Sequence, residues 1–257
     1  NAALLAELDS YAGLKTIAAE VERLLGFDGT TRSVNLVYER DGAGGETAYP
    51  GTAFLGEWMA RQADGSWTAA GLEAGFLDSL GRYAAAGAGD ATAVIWTHSE
   101  YDSRDPGLSA ADWAAAVRTD AALVEATLGR EVPYLFVAAH PYGDGTDAGH
   151  QAIRAGMEAL AADPALGARI AARAPDLDVS YDNLDGDWAT TEYGGGHITA
   201  EDAQLIARRV AAVAAEQWAA YAQPGSPVAA AGGDIPSEGP QVVAATSVGG
   251  GWLRADL

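Results

Sequence analysis

Cysteine is missing altogether, which excludes disulfides, thiolate metal sites and cysteine nucleophiles. Lysine is almost missing, with Lys15 alone, and 15 basic residues stand against 36 acidic ones for a net charge of −21. Such a surface repels a duplex or an anionic bilayer, so neither nucleic acid nor membrane is expected as a partner. No apolar run reaches the roughly 18 residues of a spanning helix. The opening Asn1-Ala2-Ala3-Leu4-Leu5 has no basic n-region and no initiator methionine, so it does not read as a signal peptide. Residue 1 is therefore expected not to be the natural start. What remains is a soluble globular composition, 49% hydrophobic with 32 glycines and 10 prolines in 257 residues. That length suits one large α/β domain, alone or with an appendage, and needs no metal or disulfide staple.

Helical and strand-like segments alternate. Leu14, Ile17, Val21, Leu24 and Leu25 recur at helical spacing, and Gly26 ends the run. Val34–Tyr38 reads as a short buried strand. Leu72, Phe76, Leu77, Leu80 and Tyr83 make a second helical stripe, followed by a strand over Ala93–Thr97. Ser109 caps a helix bearing Trp113, Val117, Leu123, Val124 and Leu128, and Gly129 stops it. Tyr134–Ala138 is the clearest strand. Ile153, Met157 and Leu160 mark the next helix, Leu177–Tyr181 a weaker strand, and Thr199 with Asp202 a capping box opening the last helix. Short apolar strands separated by helices predict a parallel sheet covered on both faces. Residues 1–222 form this unit. The Pro-, Gly- and Ala-rich residues 223–240 read as a linker, and 241–257, alternating apolar and polar, as the start of a further β module.

Ligands bind such sheets beyond the carboxyl ends of the strands. That rule selects Asp41–Thr47, His98–Asp102, His140–Gly145 and Glu192–Thr199, which hold three of the four histidines. His197 stands out, because a histidine in a glycine-rich loop before a capped helix suits proton transfer better than packing. Glu100 and Asp102 read as buttresses, and His140-Pro141 as turn chemistry. The Gly44-Gly45 turn serves either backbone sterics or an oxyanion hole.

In this order the segments resemble the SGNH hydrolases, specifically the sialic-acid-type acetylesterase branch. Gly44-Gly45-Glu46-Thr47 resembles the branch's Gly-Gly turn. Trp96–Asp102 resembles its Gln-Gly-Glu-x-Asp block, and His197-Ile198-Thr199 the end of its Asp-x-x-His block. The resemblance implies a three-layer α/β/α sandwich with a flavodoxin-like parallel sheet. It also implies ester hydrolysis through an acyl-enzyme, with no cofactor. The substrate would be a small-molecule or polysaccharide ester, and the setting secreted or periplasmic. His197 would be the base, Gly45 and His98 would serve the oxyanion, and Gly44, Glu100 and Asp102 would support the site.

Three departures shape these expectations. Asn1-Ala2 resembles the tail of the branch's Gly-Gln-Ser-Asn-Ala block, so the nucleophile and the first strand are expected to lie before residue 1. Ser10, in Leu8-Asp9-Ser10, is the runner-up nucleophile. Gly194 stands where the branch has its triad acid, leaving Glu192, Asp187 or a backbone carbonyl to orient His197. His98 and Ser99 replace the glutamine and glycine of the middle block. Two other functions stay open. One is a metal-dependent hydrolase using His98, Glu100 and Asp102 with His140 or His197. The other is a non-catalytic carbohydrate-binding module.

Overall fold

The computed structural model describes residues 14–27, 34–37, 54–85, 91–96, 100–138, 147–173, 200–221 and 241–246. Helix α1 spans Leu14–Leu25 and leads to strand β1, Val34–Val37. A kinked turn, Phe54–Trp58, runs into the antiparallel hairpin β2 (Met59–Arg61) and β3 (Trp67–Ala69). Then come α2 (Gly71–Ala85), β4 (Ala91–Trp96), a 3-10 turn at Glu100–Arg104, α3 (Ala110–Leu128) and β5 (Tyr134–Ala138). The described chain closes with α4 (Asp147–Ala161), β6 (Arg169–Arg173), α5 (Ala200–Tyr221) and β7 (Gln241–Thr246).

The protein is α/β. Its main sheet has five strands in the order β1-β7-β4-β5-β6, and every pairing is parallel. All five residues of β5 are buried. Successive strand side chains point to opposite faces, so both faces of the sheet are covered at its centre, as a parallel sheet requires. Helix α5 packs on β4, β5 and β6 and against α1; helix α3 packs between α2 and α4.

The position of β7 departs from the sequence expectation. Gln241–Thr246 lies between β1 and β4, paired to both. Its run Val242-Val243-Ala244-Ala245 is apolar and uncharged, a composition suited to an interior strand rather than to a half-exposed one. The weaker strand expected at Leu177–Tyr181 lies outside the described residues, as does Thr199 of the capping box.

The core is aromatic. Trp96 of β4 sits edge-on to Phe54 at 4.5 Å and to Trp113 of α3 at 5.9 Å. Phe136 of β5 lies 6.1 Å from Trp96 and 6.1 Å from Trp113. These four rings are wholly buried, and edge-to-face pairs of this kind add about 0.5–1.5 kcal/mol each beyond burial. Helix α4 can approach this cluster because residue 156 is glycine: a Cβ there would stand 2.7 Å from Trp113 Cε3.

Helix α3 begins and ends where its capping residues stand. The Ser109 hydroxyl accepts the Asp112 amide at 3.0 Å. At the other end Gly129, at φ 71°, donates its amide to the Glu125 carbonyl at 2.7 Å. Only glycine adopts that left-handed conformation without strain.

Candidate functional site

Parallel pairing puts the carboxyl ends of the strands on one edge of the sheet. Trp96 at the end of β4 is level with Phe136 of β5 and with Thr246 at the end of β7, and Val37 at the end of β1 is level with Ala244. The segment Asp41–Thr47 therefore follows a strand that leaves from this edge. So do His98–Asp102 after β4 and His140–Gly145 after β5. His197 lies shortly before Ala200, the first residue of α5. Three of the four segments selected by sequence thus follow strands whose carboxyl ends lie on one edge.

Most of their side chains lie outside the described residues: Ser10, Gly44, Gly45, His98, His140, Asp187, Glu192 and His197. Glu100 opens the 3-10 turn after β4. Asp102 is the candidate whose surroundings are described. It is buried, and its Oδ1 accepts the backbone N–H of Leu55 at 3.1 Å. Leu55 lies inside the kinked turn, where its ψ is 119° and the following Gly56 has φ 102°. The turn thus leaves helical geometry at Leu55, and its freed amide is satisfied by a carboxylate from beyond β4. Asp102 ties the turn before β2 to the carboxyl edge of the main sheet. A fully buried donor costs about 1–3 kcal/mol when left without an acceptor, and this half-buried one costs toward the lower end.

The neighbouring positions build a wall. Ser103 is wholly buried, and Gly149 in the first turn of α4 lies so close to the Ser103 backbone that a Cβ has no room. His150 beside it is 3% exposed. This histidine continues the inward stripe of Ile153, Met157 and Leu160, all wholly buried. The signal was helical spacing, read one turn too late. On the outer side of the 3-10 turn the Arg104 guanidinium lies over the Tyr101 ring, 4.8 Å from its centroid, and donates to the phenol oxygen.

Three of the seven tryptophans belong to the core. Trp58, Trp96, Trp113 and Tyr134 are fully buried and form core. Trp67 of β3, half-buried, keeps a face toward Arg61, whose guanidinium carbon is 5.7 Å from the ring centroid and whose Nη2 pairs with Asp112 at 3.0 Å.

Two further ionisable residues are buried, Glu73 on α2 and Asp120 on α3. The sequence stripes passed them by, although each sits at a helical position flanked by core residues. Among the described residues no group of three or more histidines and carboxylates is placed to hold a metal, and no helix is long and apolar enough to cross a membrane. Comparisons with protein-family models, curated proteins and solved structures find no match to this chain.

Proposed function

We propose that the chain forms the body of a serine esterase that removes acetyl or other acyl groups from a carbohydrate, on a flavodoxin-like three-layer variant of its α/β architecture. The observation that carries this reading is the common edge. The glycine turn at 44–45 and the block at 98–102 follow parallel strands that end on the same side, where α/β sheets bind ligands.

In this mechanism a serine hydroxyl attacks the ester carbonyl carbon while His197 takes its proton. The tetrahedral oxyanion accepts the Gly45 N–H and a further donor, with His98 available in its neutral form. Collapse expels the sugar alcohol, which receives the proton from His197 and leaves an acyl-enzyme. Water, deprotonated by the same histidine, then releases the acid. Each oxyanion donor contributes about 3–4 kcal/mol in such sites. Glu192 orients the imidazole in place of the acid that Gly194 cannot supply. Asp102 is a positioning residue: it holds the Phe54–Trp58 turn against the edge and touches no substrate.

Hydrolysis of p-nitrophenyl acetate and of acetylated sugars by the natural full-length protein, with and without His197→Ala, tests the reading. A loss of rate in the variant supports it. Unchanged hydrolysis, or sugar binding without turnover, favours the carbohydrate-binding module suggested by Gly194. Activity abolished by a chelator and restored by a divalent cation favours the metal-dependent hydrolase. A rate lost in Ser10→Ala names that serine as the nucleophile.

A further inference from the structure

Glu73 lies in the first turn of α2, on the same stripe as Phe76 and Leu80, and all three are buried. Asp120 lies on the inward stripe of α3 with Trp113, Val117 and Val124. Both carboxyl groups are wholly buried and face each other within hydrogen-bonding reach. Asp120 Oδ2 accepts the Tyr134 hydroxyl at 2.5 Å, whereas Glu73 Oε1, Glu73 Oε2 and Asp120 Oδ1 receive no N–H or O–H from any other residue among those described.

Other charged groups of the described surrounding elements pair with one another or, like Glu125 on α3, are exposed. On α2, Asp78 pairs with Arg82 at 3.1 Å. On α3, Asp112 pairs with Arg61 of β2 at 3.0 Å and Arg118 with Asp163 at 3.2 Å. On β5 the titratable group is the Tyr134 phenol itself. The groups acting on the pair are thus each other and that phenol.

Two carboxylates without a counter-charge cannot both stay ionised in such a place, because desolvation and mutual repulsion act together. A single retained proton resolves both, as in other paired carboxyl sites. We propose that Glu73 and Asp120 share one proton, Glu73 donating to the Asp120 carboxylate, and that this proton is a latch fastening α2 to α3 and β5 that releases as pH rises.

Burial pushes Asp120 up to about 6, with the Glu73 and Tyr134 hydrogen bonds moderating the rise, and pushes Glu73 well above the usual carboxylate range. Asp120 therefore ionises first and then accepts from two hydroxyl groups. Glu73 holds the latch proton. Release would be felt beyond the pair, because the amino end of α2 joins β3 through Ala70, whose amide donates to the Trp58 carbonyl at 2.6 Å. That residue ends the turn which Asp102 holds at the carboxyl edge. The latch does not depend on the esterase reading.

Infrared spectroscopy of the whole chain in deuterated buffer tests it. The wild type should keep the carbonyl stretch of a neutral carboxylic acid at neutral pH, and Glu73→Gln should lose it. Urea denaturation should show wild-type stability falling with rising pH, and a flatter profile for Glu73→Gln, whose amide still donates but cannot ionise. Absence of the neutral-acid band in the wild type, or an equally steep profile in a folded Glu73→Gln, would overturn the proposal. So would a metal ion bound to the native protein and released by Glu73→Gln. If the variant does not fold, the wild-type spectrum alone decides.

Discussion

Two acidic residues in this chain have opposite surroundings, and the difference is in the donors they meet. Asp102 receives a backbone amide, a contact that makes it a tie between two loops. Replacing it by alanine leaves the Leu55 N–H without that acceptor, so Asp102→Ala is expected to lose about 1 kcal/mol in urea denaturation. Asp120 instead meets another carboxyl group and a phenol. The Tyr134 hydrogen bond favours its ionised form, so Tyr134→Phe should raise the ionisation of Asp120 above its value of about 6. Site-resolved carboxyl NMR titration checks this, and an unchanged or lowered midpoint contradicts it. The block containing Asp102 was visible in the sequence because it follows an obvious strand. Glu73 and Asp120 were not, because apolar periodicity registers the residues that conform to a stripe and passes over the acid that interrupts it.

At the scale of elements, legibility followed how local the determining interactions are. Helix α3 announces itself through Ser109 and Gly129, whose contacts lie within four residues of them. Ser109→Ala should cost about 1 kcal/mol of stability by thermal or urea unfolding, and no loss would mean that the cap is not needed. Strand β5 was equally plain because both of its faces are buried and it carries no charge. The hairpin β2–β3 was hidden, since each of its strands has only three residues and its turn is held by side chains: Asp64 Oδ1 accepts the Ser66 amide at 2.9 Å and the Ser66 hydroxyl at 2.6 Å. Strand β6 was hidden by its ends. Arg169 and Arg173 frame three apolar residues at the edge of the sheet, and Arg169 reaches Glu216 of α5 at 3.2 Å. The place of β7 depends on pairing with strands some 150 and 200 residues earlier in the chain, which no local pattern encodes.

For the whole molecule, the buried acid pair sets how stability varies with pH. The buried pair binds more protons folded than unfolded once pH exceeds the ordinary carboxylate range near 4. Stability from this source is therefore complete below that range. It falls as pH rises through about 6, where Asp120 ionises, and continues to fall as the Glu73 proton leaves. A stability maximum on the acid side of neutrality, found by denaturation across pH, is the expected outcome, and stability rising from pH 5 to 8 would contradict it. The functional reading depends on the same global arrangement, because only parallel pairing puts the ends of β1 and β4, the strands that precede the glycine pair and the 98–102 block, on one edge. The sequence showed the α/β class and the segments that follow the strands. It did not show the order of the strands.

The most direct measurement is the rate of acetyl-ester hydrolysis by the full-length protein before and after His197→Ala. The account predicts a loss of about 100-fold or more, the usual contribution of a proton-transferring histidine, in a variant whose unfolding midpoint is unchanged. Equal rates in the two proteins would contradict it.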